Sequence, residues 1–236
     1  MRLVVGAIAG LVLAVAPGLA LYAQGGPTAM AATRPAEVTF QFEREGLPVP
    51  RFTLRIKEDG TGSYQAEEVE SPADKGAVQY ASPKHIDRTL KLTPPTVVRI
   101  FQSARELDRF NMACESTAKN IANTGKKTLG YAGADGTGSC VYNYSNNKDV
   151  TRLTNTFLAI AFTLDEGRRL EFLHRYDRLG LDEEMSQLVQ GVKAGRALEL
   201  GTIAPVLTAI AGDGAVLQRV RSQASKLLEQ ADSNKI

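Results

Sequence analysis

Asp-Gly-Thr-Gly-Ser occurs twice, at residues 59–63 and 135–139. Two aspartates in matching settings are the nearest thing in this chain to a catalytic pair. An aspartic protease shares one proton between two carboxylates, each held in an Asp-Thr-Gly or Asp-Ser-Gly turn after an apolar strand. Here Gly60 and Gly136 intrude between acid and hydroxyl, and Lys57, Glu58, Gly133 and Ala134 precede the acids, so the flanks bury no carboxylate. A calcium loop needs further carboxylates two and four residues on, where Thr61, Ser63, Thr137 and Ser139 stand. Asp-Gly between two alternating segments is a strong hairpin signal, because glycine accepts positive φ without a clash. Both copies read as hairpin turns.

The other chemistry-bearing stretches fare similarly. NTGKKT at 123–128 invites comparison with a phosphate-cradling loop, but that pattern puts glycine where Asn120 stands and a hydroxyl where Lys127 stands. It reads as a solvated turn entering a strand. In GRRLEFLHRYDR, a helix would bury Phe172, Leu173, Tyr176 and Leu179, pair Glu171 with Arg175, and set Arg178 near its negative end. His174 beside Asp177 has the residue types of an acid and base couple. Helix neighbours three apart supply no nucleophile, however, and no Gly-x-Ser-x-Gly occurs. Tyr131, Tyr142 and Tyr144 share one hairpin: exposed, they would bind a peptide or glycan, and facing the helices they would be core, the reading the pattern favours. With His174, Arg175 and Arg178 they form the candidate binding surface. Two cysteines and two distant histidines, His85 and His174, give no zinc spacing, and neither a cofactor nor a metal is expected.

The leader bounds the compartment. Arg2 precedes a mostly apolar run from Leu3 to about Ala16, then Pro17, Gly18 and small residues, the layout of a secretory signal. The run is short for a membrane span, although an uncleaved anchor is the alternative reading. Cleavage is placed after Ala23, with a cut near Ala31 as the alternative. Loss of residues 1–23 removes Arg2 and no acid, so the net charge falls from +2 to about +1, which argues against general affinity for nucleic acid. In an oxidising compartment Cys114 and Cys140 are expected to pair. That bridge would contribute roughly 3 kcal/mol.

These features need elements to hold them. Residues 24–36 are small, polar and broken by proline, a flexible lead. Strand alternation follows in EVTFQFERE, RFTLRIKED and SYQAEEV, then a loop at 70–76 and one or two strands in GAVQYAS and IDRTLKLT. Thr93, Pro94 and Pro95 start a helix that buries Val97, Ile100, Phe101, Ala104, Leu107 and Phe110 and ends near Asn111. KTLGYAGADGTGSCVYNYS is a second hairpin. After about Asp149 the period becomes helical. TLDE at 163–166 has capping-box spacing, so one helix is expected to stop there and another to run to Leu179. Three more follow, from Asp182, over about 202–211, and from Asp213 to about Gln230. The expectation is an α+β protein with an antiparallel sheet and one packed helix over 37–146, and a bundle of about five helices over 147–236.

Within that bundle, IAPVLTAIAGDGAVLQRVRSQASKLL places Pro205 in a first helix, Asp213 in a turn, and Val220, Arg221, Ala224 and Leu228 along a second. This stretch resembles a single HEAT repeat. The resemblance covers about a ninth of the chain and departs from the pattern between Asp213 and Val220. It implies stacked helix pairs and a protein-binding surface, not catalysis; a solenoid needs about three repeats, and one is found. The chain as a whole also resembles secreted bacterial proteins of uncharacterised activity, which adds no reaction. Together these readings point to a noncatalytic exported binding or assembly module of the cell envelope, periplasmic or extracellular, whose partner is another envelope protein or a peptide. No nucleic acid is expected, and no membrane span after cleavage. The alternative is a secreted hydrolase whose carboxylates, or His174, are gathered by the fold.

Overall fold

The computed structural model describes residues 35–69 and 83–233. The leader 1–23, nearly all of the lead 24–36, the loop at 70–76 and the strand read in GAVQYAS lie outside the described residues. Six strands form one antiparallel sheet: β1 (Glu37–Glu43), β2 (Arg51–Lys57), β3 (Thr61–Glu68), β4 (Lys84–Lys91), β5 (Lys126–Gly133) and β6 (Gly136–Tyr142), in spatial order β4-β3-β2-β1-β5-β6. Alternation decides which face is dry. Val38, Phe40, Phe52, Leu54, Ile56, Tyr64, Leu129 and Cys140 are buried on one side, with Phe40 opposite Leu54 and Leu129 opposite Cys140 in register. The other face is polar.

Both Asp-Gly segments are hairpin turns, and both lie at the end of the sheet where β1 begins, since Glu37 faces Lys57 on one side and Ala132 on the other. The two then diverge. Asp59 serves its own turn, accepting from the Thr61 amide at 2.8 Å and hydroxyl at 2.6 Å, and that hydroxyl leads the contacts that lower its pKa. Asp135 instead accepts from the Tyr131 hydroxyl at 2.7 Å and from Arg105 and Arg109 at 3.4 and 3.3 Å. Arg105 also reaches Glu58 at 2.6 Å, so one guanidinium ties the two turns together.

Helix α1 (Pro94–Glu106) buries Val97, Ile100, Phe101 and Ala104 as expected, but it ends earlier than Asn111. A 3-10 turn at Asp108–Phe110 takes over, with φ of 50°, 55° and 67° at Asp108, Arg109 and Phe110, a left-handed path that costs non-glycine residues about 1–2 kcal/mol each. That path drops Phe110 into the core with no exposed surface. Just beyond, Cys114 bonds Cys140 with Cα atoms 5.8 Å apart. Thr93 does not cap its own helix. Its amide and hydroxyl go to the Glu199 carboxylate at 2.8 and 2.6 Å, which brings a negative charge to the positive end of α1.

The C-terminal part holds α2 (Lys148–Tyr176), α3 (Leu181–Lys193), α4 (Ala204–Gly212), which follows a 3-10 turn at Leu200–Ile203, and α5 (Gln218–Ser233). The break expected at TLDE does not occur. Thr163 is fully buried inside one continuous 29-residue helix, and its hydroxyl donates back to the Ala159 carbonyl at 3.0 Å instead of capping a new start. The true cap is Asn147, whose side chain accepts from the Asp149 and Val150 amides.

Helix α2 crosses every strand. Thr154 meets Tyr142 of β6, Phe157 stacks on Phe40 of β1 at 5.0 Å, Asp165 takes the Tyr64 hydroxyl of β3, and Glu171 pairs with Arg88 of β4. From Thr154 to Glu171 is about 26 Å of helix. Five strand spacings are about 24 Å. The helix therefore lies nearly perpendicular to the strands, and whatever follows Glu171 overhangs the β4 edge. Two hydrophobic cores result, one under the sheet that includes α2 as far as Leu164, the other from Leu170 onward among α3, α4 and α5.

Candidate functional site

The overhang, the β4 edge and the start of α4 enclose a cleft of about 550 Å³. Its floor is apolar, made by Leu164 and Gly167 of α2 with Ile203 and Val206. Its rim is charged: Arg88 of β4, and Arg168, Glu171, His174 and Arg175 of α2. The floor is close-packed because residue 167 is glycine; a Cβ there would overlap Ile203 Cγ2.

The rim charges are mostly matched. Arg88 bonds Glu171 at 2.7 Å, and Arg168 bonds Glu68 at 2.7 Å. His174 Nε2 lies 3.0 Å from Asp213 Oδ2, which Arg178 also approaches at 3.5 Å. The other oxygen of Asp213 accepts from the Ala215 amide at 2.9 Å, the first of the contacts that hold its carboxyl below the usual range. Among the described residues Arg175 forms no ion pair, and its guanidinium rests 5.9 Å from the Tyr176 ring. Beneath the rim, burial raises the Tyr64 and Asp165 pKa values, and their 2.9 Å hydrogen bond joins sheet to helix.

The stripe expected to be buried at the end of α2 is exposed. Phe172, Tyr176 and Leu179 are 59%, 68% and 85% exposed. They lie past the last strand, so no sheet covers them; Leu170 is the fully buried residue, with Leu173 half-buried. Glu171 pairs with Arg88 and not with Arg175. Phe172 and Tyr176 pack on each other at 5.1 Å, forming an exposed aromatic pair beside Arg175.

The remaining candidates separate. Tyr131 and Tyr142 are core, each 3% exposed, with the Tyr142 phenol pushed up to about 12 by burial. Tyr144 lies beyond β6 and is 43% exposed. So the tyrosines do not join His174, Arg175 and Arg178 in one surface. The NTGKKT turn is not solvated throughout: Lys127 is buried, donating to Thr124 Oγ1, Gly125 O and Asn143 O at 2.8–2.9 Å beneath Phe42 and Tyr142. Burial lowers its pKa.

Sequence reading missed Arg88, Arg168 and the α4 floor. One signal was present: Arg88 falls in phase with Ile86 and Leu90, the buried face of β4, so a charge on that face marks a place where the core stops.

Chemically, His174 and Asp213 are half of a general acid-base set. Among the described residues no serine or cysteine lines the cleft; its hydroxyls are those of Thr202, engaged with the Glu199 carbonyl at 2.7 Å, and Thr89, and neither is hydrogen-bonded to His174. Among the described residues no three His, Cys, Asp or Glu side chains converge as a metal site, and no helix is long and apolar enough to cross a membrane. A second concavity of about 680 Å³ beside Leu200 and Lys226 includes Glu199, already engaged with Thr93. The chain matches no protein-family model and none of the curated proteins.

Proposed function

We propose that this chain is a noncatalytic, exported binding module of the cell envelope, and that it holds a protein partner at the β4 edge, in the cleft and on the α2 overhang. The observation that carries this reading is the conjunction of an exposed Phe172–Tyr176 pair, an Arg175 that forms no ion pair among the described residues, and an apolar-floored cleft on one side of the molecule. Aromatic residues and arginine are what the centres of protein interfaces are enriched in. Export is supported by the Arg2 leader pattern and by the buried Cys114–Cys140 bond, which an oxidising compartment maintains. The α4–α5 hairpin, taken as one HEAT-like unit, lends the cleft its α4 wall without supplying chemistry.

The test is affinity capture under gentle crosslinking from envelope extract, comparing the native chain with Arg175→Glu and Tyr176→Ala. Both side chains are exposed, so the fold should be unaffected, and the same partner should be lost from both variants. Recovery of no partner, or of one indifferent to both changes, contradicts the reading. The hydrolase reading has the His174–Asp213 contact in its favour. It requires that His174→Gln abolish a hydrolytic activity of the native chain while leaving capture intact.

A further inference from the structure

The sheet treats its two edges unequally, and an uncovered edge is a template for another strand. On the β6 side the segment from Asp108 to Cys114 closes over the edge. Asn111 Nδ2 donates to the Thr137 carbonyl at 3.0 Å; just past the disulfide, which fastens the segment to the buried face, Glu115 accepts from the Asn143 amide and the Ser116 amide donates to the Tyr144 carbonyl at 2.8 Å. On the β4 side no described strand follows.

The phase of β4 determines which of its groups face outward. Leu92 N–H donates to Gly60 O at 2.9 Å, continuing the register in which Leu90, Arg88 and Ile86 face Gly62, Tyr64 and Ala66. In an antiparallel pair alternate residues bond the neighbour. Leu90, Arg88 and Ile86 therefore bond β3, and Lys91, Thr89, Asp87 and His85 turn N–H and C=O away from it. All four are exposed, and Asp87 and Thr89 line the cleft.

We propose that an extended segment of the partner adds to β4 as a seventh strand. Alternate side chains of that segment enter the cleft over Gly167, Ile203 and Val206, and one carboxylate among them meets Arg175. An acid is specified because Arg88 and Arg168 already have Glu171 and Glu68, which leaves Arg175 as the rim guanidinium without a counter-charge among the described residues. Main-chain pairing supplies affinity in this mode and the alternate pockets supply specificity. The inference rests on the reading of the cleft as a binding surface and adds the form of what binds there. The charges along β4 are also what an edge carries to prevent self-pairing, and the experiment separates the two roles.

A displayed library of random nonapeptides is selected on the full chain with its disulfide intact, and an enriched peptide is synthesised. Enrichment of sequences alternating apolar residues, with one Asp or Glu in the apolar phase, is expected. On binding, amide exchange at Asp87 and Thr89 should slow at least 10-fold, whereas Ile86, Arg88 and Leu90 are slow throughout. Thr89→Pro removes an outward donor without touching the β3 ladder and should weaken binding at least 10-fold. Backbone N-methylation of alternate peptide residues should do the same and needs no change in the protein. A library that enriches nothing overturns the proposal. So does a peptide that leaves Asp87 and Thr89 exchange unchanged and tolerates N-methylation; if Arg175→Glu still weakens that peptide, the cleft stands as a binding surface and only strand addition fails.

Discussion

Glu166 sits on α2 against α3, 2% exposed. Its Oε1 accepts from Arg169 at 3.4 Å, and the same guanidinium nitrogen is 3.6 Å from Glu184 Oε1. Glu166 Oε2 and Glu184 Oε1 are buried and have no hydrogen-bond partner among the described residues when both acids are ionised. One proton between the two carboxyls satisfies both. Burial first, then the charge and hydrogen bond of Glu184, push the Glu166 pKa up to about 8 from 4.5. Because the folded value is the higher one, the folded protein keeps a proton that the unfolded chain has released throughout that window. The contribution of the site is thus full below about pH 4.5 and is lost as pH rises towards 8. At about 1.36 kcal/mol per pH unit the ceiling is about 5 kcal/mol. Relaxation of the site and entry of water when the proton leaves reduce this, so about 2–3 kcal/mol is expected. Glu166→Gln supplies the missing hydrogen at every pH. In urea unfolding it should match the native chain within about 1 kcal/mol at pH 5 and exceed it by about 2–3 kcal/mol at pH 9. The difference between the two proteins cancels titrating groups that do not interact with this pair. Parallel stability curves from pH 5 to 9 would refute the shared proton.

Three further outcomes follow from the packing. Replacing both Cys114 and Cys140 with alanine frees a 26-residue loop, which the chain-entropy estimate puts at about 3.5 kcal/mol; an unchanged urea midpoint would show that the bridge constrains nothing. Gly167→Ala should gain about 1 kcal/mol of helix propensity yet lose more through overlap with Ile203, for a net cost of about 1–2 kcal/mol. A more stable variant would mean that α2 and the turn before α4 are not in close contact. Lys127→Met keeps the stem but strips the donor from Gly125 O and Asn143 O, at about 1–3 kcal/mol, read as a lower thermal midpoint; no loss would place the ammonium in water.

Local patterns were legible where local physics decides. Asp-Gly announced both turns, alternation announced β1 to β3, Pro94 and Pro95 announced α1, and two lone cysteines announced their bond. The misreadings along the C-terminal half have one source, the placement of α2. Thr163 and Glu166 have capping-box spacing, but the box forms only where the chain turns, and here the sheet and α3 bury both residues inside one helix. Phe172 and Tyr176 are in phase for a core, yet helical phase carries no information about where a sheet ends. Lys127 and the Glu166–Glu184 pair depend on partners that only the fold brings near. The cleft draws on β4, α2 and α4, whose juxtaposition no single stretch of sequence encodes.

The claim that recognition is confined to the α2 overhang and the β4 edge can be put to one measurement. A photo-crosslinking amino acid is placed at Phe172 or, as a control of comparable exposure on the outer face of β6, at Val141, 59% and 52% exposed respectively. The cells that make this protein are then irradiated. A discrete protein adduct from the Phe172 position and none from Val141 is the predicted result. Adducts of equal yield from both, or from Val141 alone, would contradict the account.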